Sequence, residues 1–345
     1  MISTQSPGKR LGERTVRFSH PPAVAGFASI AGKRESEGPL KGTFDITVDD
    51  NSFGESSWEK SESRIQKELL TLILQKTGLA PTEIQYVFGG DLINQCISTT
   101  FGLRESNLPI YGIYSACATM AEGISLASAM VDGGFAKNVL TLTSSHFCSA
   151  ERQYRLPLEY GGQRTPTSQW TVTGGGAAIL SSEGDGPYVT HMTTGKIIDY
   201  GIKDASNMGG AMAPAALDTI ETFFADTGLT PNDFDLVLTG DLGHVGLDIL
   251  RELLKRDGLN FNDNLADCGV LIFDRDKQDV HAGGSGAACS ATVLCGKILN
   301  DMAEGRLHRV LFAGTGALLS TVSTQQGESI PCICHAVAIS NRREG

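Results

Sequence analysis

Residues 77–92 read TGLAPTEIQYVFGGDL, and residues 227–242 read TGLTPNDFDLVLTGDL. Eight of the sixteen aligned positions are identical, at a constant offset of 150. Each copy has a glycine, Gly78 or Gly228, where a helix needs a left-handed cap. Each then has a proline, Pro81 or Pro231, that opens a short acidic turn, and an apolar strand (Tyr86–Phe88, Leu236–Leu238) that ends in Gly-Asp-Leu. Working outward, a helix precedes each copy. Ile65, Leu69, Leu72 and Ile73 form one apolar face at helical spacing, as do Ile220, Phe223 and Phe224 in the second copy.

The duplication continues downstream. Cys117–Asp132 is rich in Ala, Ser and Met without Pro, and leads through Gly133-Gly134 to a strand at Asn138–Leu142. Ala288–Glu304 has the same texture and leads through Gly305 to a strand at Arg309–Phe312, now at an offset of 171. Strand, helix and strand in repeated order predict a mainly parallel sheet flanked by helices. The small-residue helices predict burial on all sides. The expectation is an α/β chain of two pseudo-symmetric βαβ-type halves, 15–182 and 187–340, in five layers (αβαβα), joined near 183–190 (EGDGPYVT).

Composition bounds the function. Of 345 residues, 41% are hydrophobic and 19% charged, which supplies a core and excludes extensive disorder. The net charge of −11 and the lack of a Lys/Arg cluster argue against nucleic acid as a partner. The first twenty residues hold no apolar signal region, and no apolar run reaches the roughly 18 residues of a membrane span. A soluble, intracellular protein is expected, with its eight cysteines reduced.

Chemistry concentrates at Cys117, in Tyr114-Ser115-Ala116-Cys117-Ala118-Thr119, where a strand (Pro109–Tyr114) runs into a helix. A side chain at that junction points into a central crevice, beside free N–H groups of the helix's first turn that attract anions and lower a thiol pKa. A buried structural cysteine is the alternative. Asp91 ends the first Gly-Asp strand, followed by Asn94 and Gln95; its counterpart Asp241 is followed by His244. Ser144-Ser145-His146 ends the strand after the Cys117 helix and leads to Arg152 and Arg155, which are either carboxylate donors or part of a solvated loop. The segment His281–Gly286 (HAGGSG) opens the second small-residue helix, and Gly314–Ser320 (GTGALLS) leaves the last strand at the same edge.

Other motifs fall short. GxxxxGK[ST] is absent, and Gly284-Ser285-Gly286 lacks dinucleotide-fingerprint spacing. Asp49–Gly54 starts like a calcium loop, but Phe53 stands at a ligand position. Cys332-Ile333-Cys334-His335 reads as a buried C-terminal strand rather than a metal site. No cofactor or metal is called for.

A duplicated chain with a cysteine at a strand-to-helix elbow resembles the thiolase and ketoacyl synthase superfamily, so the expected fold is thiolase-like. Within it, the segments GPLKGTFD, FGGDLINQ, DGGFAKNVL, TSSHFCSAERQYRLPLEYGGQRTP, SNMGGAMAPAALDTI, TGDLGHVG, AGGSGAACSA, TGALLS and ESIPCICHAVA resemble the stage V sporulation protein AD family over nearly the whole chain. The resemblance implies a protein of spore-forming Firmicutes, peripheral to the spore inner membrane. It would bind dipicolinic acid, alone or as its calcium chelate, and help move it into the spore with other SpoVA membrane proteins. The superfamily also implies a homodimer.

The resemblance argues for binding over catalysis. Thiolases carry Gly-His-Pro and a second Cys near the last glycine loop; the matching segments here read AGGSGAACS and AGTGALLS. His244 is the candidate for the first histidine of a ketoacyl synthase, and nothing stands at the second position. A cysteine without base and oxyanion donors loses most of its acyl-transfer rate. The candidate ligand-lining residues are Cys117, Asp91, Asn94, Ser145, His146, Arg152, Ser285 and Ser320. The alternative is an acyltransferase with Cys117 as nucleophile.

Overall fold

The computed structural model describes residues 9–154 and 164–343. Its principal elements in chain order begin with β1 (Ala23–Gly32), α1 (Trp58–Thr77), β2 (Tyr86–Gly90), α2 (Ile97–Leu103) and β3 (Ile110–Gly112). They continue with α3 (Thr119–Asp132), β4 (Asn138–Ser145), α4 (Phe147–Tyr154) and β5 (Gly174–Ser181). The second series is β6 (Tyr188–Thr193), α5 (Met208–Thr227), β7 (Leu236–Thr239), α6 (Gly243–Arg256) and β8 (Leu265–Asp267). It closes with α7 (Ala287–Val293), β9 (Arg309–Ala317) and β10 (Cys332–Ser340).

The strand order β8-β7-β9-β10-β6-β1-β5-β4-β2-β3 reads as one half followed by its mirror, in which each strand of the first half matches the strand five places later. The repeated sequence lands on repeated structure. α1 and α5 both stop at a glycine with φ 70°, Gly78 and Gly228, whose N–H groups close on Leu74 and Phe224 carbonyls. Both are followed by a one-turn 3-10 helix, Pro81–Glu83 or Pro231–Asp233, in which the Glu83 or Asp233 carboxylate accepts from the N-cap backbone N–H.

The pairing corrects the expectation of a mainly parallel sheet. β3, β2 and β4 are parallel, but β5 runs antiparallel to both β4 and β1. The second half repeats this with β8, β7 and β9 parallel and β10 antiparallel to β9 and β6. Parallel neighbours need a crossover connection, which α2 and α3 supply in the first half and α6 and α7 in the second.

The layering is αβαβα. α1 covers the outer face of β1, β4 and β5, and α5 covers that of β9, β10 and β6. Between the sheets, α3 touches β4 and β5 on one side and β9 and β10 on the other, while α7 packs on α3 and on β4 and β5. This explains the small residues: Ala121, Ala127, Ala288, Ala291 and Cys289 are fully buried in the middle layer. The outer helices hold larger cores, with Ile65, Leu69 and Ile73 in one half and Phe223, Phe224 and Phe234 in the other. The Cys332–Cys334 stretch is a buried strand, as its alternation implied.

Candidate functional site

Cys117 sits at the boundary between the halves. The edge strand β3 does not run directly into the helix. It ends at Gly112, and Ala116–Ala118 makes a 3-10 turn before α3 begins at Thr119. Ala116 takes the left-handed φ of 49°, which aims the next side chain inward. Below the turn, the His335 imidazole lies 3.2 Å from Ser115 Oγ. Gly195 N–H donates to His335 Nδ1, so Nε2 carries the proton toward the serine, and burial pushes this imidazole down to about 4. His335 anchors the elbow as a neutral donor.

The groups that meet the Cys117 thiol come from the second half. They are the Asp241 carboxylate, the Ser285 hydroxyl and the Gly286 N–H. Asp241 follows the end of β7 and is fully buried. It accepts from Ser285 Oγ at 3.0 Å, from Gly286 N at 3.0 Å and from Thr315 Oγ1 at 2.9 Å, and it faces the thiol. Gly286 reaches it with φ 101°, a conformation that favours glycine. Burial, and then the Asp241 charge, push the Cys117 thiol well above its ordinary value. This corrects the expectation of a lowered thiol pKa: the cysteine is buried and faces a carboxylate.

The cavity over the thiol is small, about 40 Å³. That is room for about one water molecule, against the roughly 150 Å³ of a benzene-binding cavity. Its wall is mainly apolar, with Leu92, Met208, Ala317 and Leu319 beside Tyr114 and Tyr154. Tyr114 and Tyr154 hydroxyls are 3.1 Å apart, and Tyr154 also donates to the Leu92 carbonyl. Among the described lining residues there is an acid, Glu151, and no Lys, Arg or His. Among the described residues, this wall supplies neither the aromatic-sized space nor the cationic partner expected for a dianion.

Of the residues singled out in the sequence, Cys117 and Ser285 meet at this cavity. Asp91 does not. Its carboxylate is buried at the end of β2 and accepts from Ile93 N–H, Thr99 N–H and Thr99 Oγ1, so it caps α2. Asn94 is exposed, and its N–H goes to Gln153. Ser145 Oγ donates to the Val172 carbonyl and accepts from Ala288 N–H, holding the turn behind Gly286. His146 is spent on the Asn51 carbonyl and Cys148 N–H, with its ring stacked on Trp58. Arg152 pairs with Glu59 at the surface, and Arg155 lies outside the described residues. Ser320 is exposed and caps a short helix through Ser323 N–H. His244 faces Arg275, Asp248 and Arg251 rather than the thiol, and the His281 ring lies 3.2 Å from Asp279.

Asp241, marked in the sequence as the counterpart of Asp91 but left out of the ligand-lining set, is the acid that faces the thiol. The signal was present: the duplicated Gly-Asp-Leu offers two aspartates, and in a pseudo-twofold scaffold the copy opposite a first-half cysteine comes from the second half.

The family model for stage V sporulation protein AD (SpoVAD) matches residues 12–340. The chain belongs to the stage V sporulation protein AD family. It is 44% identical over 329 residues to stage V sporulation protein AD of Bacillus subtilis (strain 168), covering 95% of this chain and 97% of that one. Among solved structures it resembles an OleA variant from Xanthomonas campestris at 14% identity and TM-score 0.58, with 96% and 99% of the two chains covered. It also resembles 3-oxoacyl-[acyl-carrier-protein] synthase III from Aquifex aeolicus VF5, at 13% identity and TM-score 0.53, covering 92% and 99%. These likenesses establish the thiolase-like fold. Among the described residues, no helix is long and apolar enough to cross a membrane.

Proposed function

We propose that this sporulation protein is a non-catalytic binder of dipicolinic acid that supports its uptake into the developing spore, using the cleft of an enzyme scaffold. The observation that carries the non-catalytic half is the buried Asp241 carboxylate that faces the Cys117 thiol. A nucleophilic cysteine needs its proton removed and its thiolate stabilised; a buried carboxylate facing it does the reverse. The ligand is proposed from family membership. Among the described residues the wall holds Glu151 and no cation, which favours the calcium chelate, with no net charge, over the free dianion. Entry of either requires the cavity to widen, and the Tyr114–Tyr154 pair is one part of the wall held by a side-chain hydrogen bond. Other SpoVA membrane proteins would receive or deliver the ligand. A homodimer is proposed from the superfamily.

The test is thermal unfolding with dipicolinate plus calcium, dipicolinate plus chelator, and isophthalate, which lacks the ring nitrogen. Saturating ligand at about 100 times its Kd stabilises by about 2.7 kcal/mol. The expected order is chelate, then dianion, then isophthalate, with Cys117→Ala weakening the response. Equal or absent shifts overturn the ligand assignment.

The retained elbow, with Ala116 at positive φ and a cysteine in place, favours one second reading, an acyltransferase. Intact-mass measurement after incubation with acyl-CoA separates the two. An adduct that depends on Cys117 and turns over establishes the enzyme.

A further inference from the structure

The cavity over Cys117, at about 40 Å³, holds about one water molecule, so any larger molecule must displace part of its wall. Exposure shows which part. Among the described lining residues Tyr114 alone is exposed, Tyr154 and Met208 are half-buried, and the others are buried. Tyr114 is 43% exposed, against 6% for Cys117. A ring that lines the cavity and also meets water stands between the two.

Tyr114 is held there by a chain of hydroxyl groups that joins three elements. Leu92 follows β2, Tyr114 lies between β3 and the elbow, and Tyr154 ends α4. Tyr154 Oη donates to the Leu92 carbonyl, so its oxygen accepts, and Tyr114 Oη at 3.1 Å is the donor. Burial pushes both phenols above their ordinary value, so neither loses its proton between pH 7 and 9. Gln153 holds the same seam independently of the tyrosines. Its Nε2 donates to the Leu92 carbonyl at 3.2 Å, and its Oε1 accepts from Asn94 N–H at 3.0 Å. With that brace in place, α4 stays joined to the segment after β2 when the tyrosine bonds break. Opening then needs side-chain rotation rather than movement of the backbone, and an exposed side chain rotates readily.

We propose that the Tyr114–Tyr154–Leu92 chain is the latch of this cavity. When it is made, the thiol is closed off; when it breaks, the Tyr114 ring swings into solvent and admits a small molecule to Cys117. The latch assumes that the cavity is a binding site, as in the function proposed for it. Its test reads the thiol and uses no dipicolinate, so a failed latch and a failed ligand assignment are told apart.

The test is iodoacetamide labelling of Cys117 in the full chain at pH 7, 8 and 9, read by peptide mass spectrometry, with Cys148 as the internal reference. A hydrogen bond between two neutral hydroxyls is worth about a fivefold factor in an equilibrium. Tyr114→Phe deletes the first donor and keeps the ring, so labelling of Cys117 should rise about fivefold. Tyr154→Phe removes both bonds and should raise it at least as much. The half-buried Tyr154 packs on the apolar cluster around Cys117, so the exposed Tyr114 is the position where loss of fold does not confuse the result. The bulkier N-ethylmaleimide should gain more than iodoacetamide. Because opening precedes reaction, each variant should raise the rate by the same factor at every pH. Labelling within twofold of the parent in either variant overturns the latch. So does a rise that Cys148 shares, which marks general loosening, or a factor that changes with pH, which marks an altered thiol acidity.

Discussion

Replacing Asp241 by Asn removes the negative charge that faces the Cys117 thiol. The carboxylate faces that thiol, so its charge would stand on the order of 4 Å from a thiolate. At an effective dielectric constant near 20, two unit charges at that distance interact by about 4 kcal/mol, equivalent to about three pH units. The amide dipole keeps part of this, which leaves an expected fall of about one to two units in the thiol pKa and about a 10- to 100-fold gain in thiolate at pH 8. Burial, the larger cause of the upward shift, is unchanged, so the thiol stays above its ordinary value. The assay is iodoacetamide labelling between pH 7 and 9, resolved by peptide mass spectrometry, with the partly exposed Cys96 and Cys148 as internal references. The variant also loses part of three charge-assisted hydrogen bonds from Ser285, Gly286 and Thr315, at about 2 kcal/mol of stability. Labelling must therefore be compared at equal folded fraction. If Cys117 in Asp241→Asn reacts within twofold of the parent, or the parent thiol titrates below pH 8, the electrostatic account of the elbow is wrong.

Glu62 offers a pH test. It is fully buried between Ser144 and Ser149, and burial followed by the Asp91 charge pushes its carboxyl up to about 8. A folded value above the unfolded value of about 4.3 means the fold prefers the protonated form. Its contribution is full below about pH 4.3 and is lost as pH rises toward 8, at about 1.4 kcal/mol per unit for one proton. Glu62→Gln should flatten that part of the Tm-against-pH curve; an unchanged slope refutes it, since Glu35 and Asp267, each pushed up to about 7, remain in both proteins. Gly286→Ala forces a Cβ onto φ 101° and to 2.8 Å from Ser145 Oγ, so urea unfolding should show a loss of about 2–4 kcal/mol. A loss under 1 kcal/mol would mean that the turn carrying Ser285 is not held rigidly.

The fold was legible because it is written twice. Gly78 and Gly228, Pro81 and Pro231, and the two Gly-Asp-Leu strand ends are local signals, each tied to a backbone conformation that its neighbours enforce, and they recur in order. The reversed strands β5 and β10 were not legible, because period-two alternation carries no direction. The site was legible as a place more than as a set of residues. Cys117 and Ser285 were marked by their positions at element ends. Asp91, His146, Arg152 and Ser320 occupy similar positions, but their polar atoms are taken by Thr99, Asn51, Glu59 and Ser323.

What the amino-acid order determined alone was the pair of matching halves, their helix caps, the small-residue middle layer and the elbow that carries the cysteine. All of these depend on neighbours within a turn or two of chain, or on side-chain volume. What only the folded chain decided was which of two equivalent aspartates meets the thiol and how little space remains above it. Those depend on groups more than a hundred residues apart, brought together where the two halves pack. At such contacts burial and a facing charge reset the chemistry of side chains whose identity alone could not foretell it.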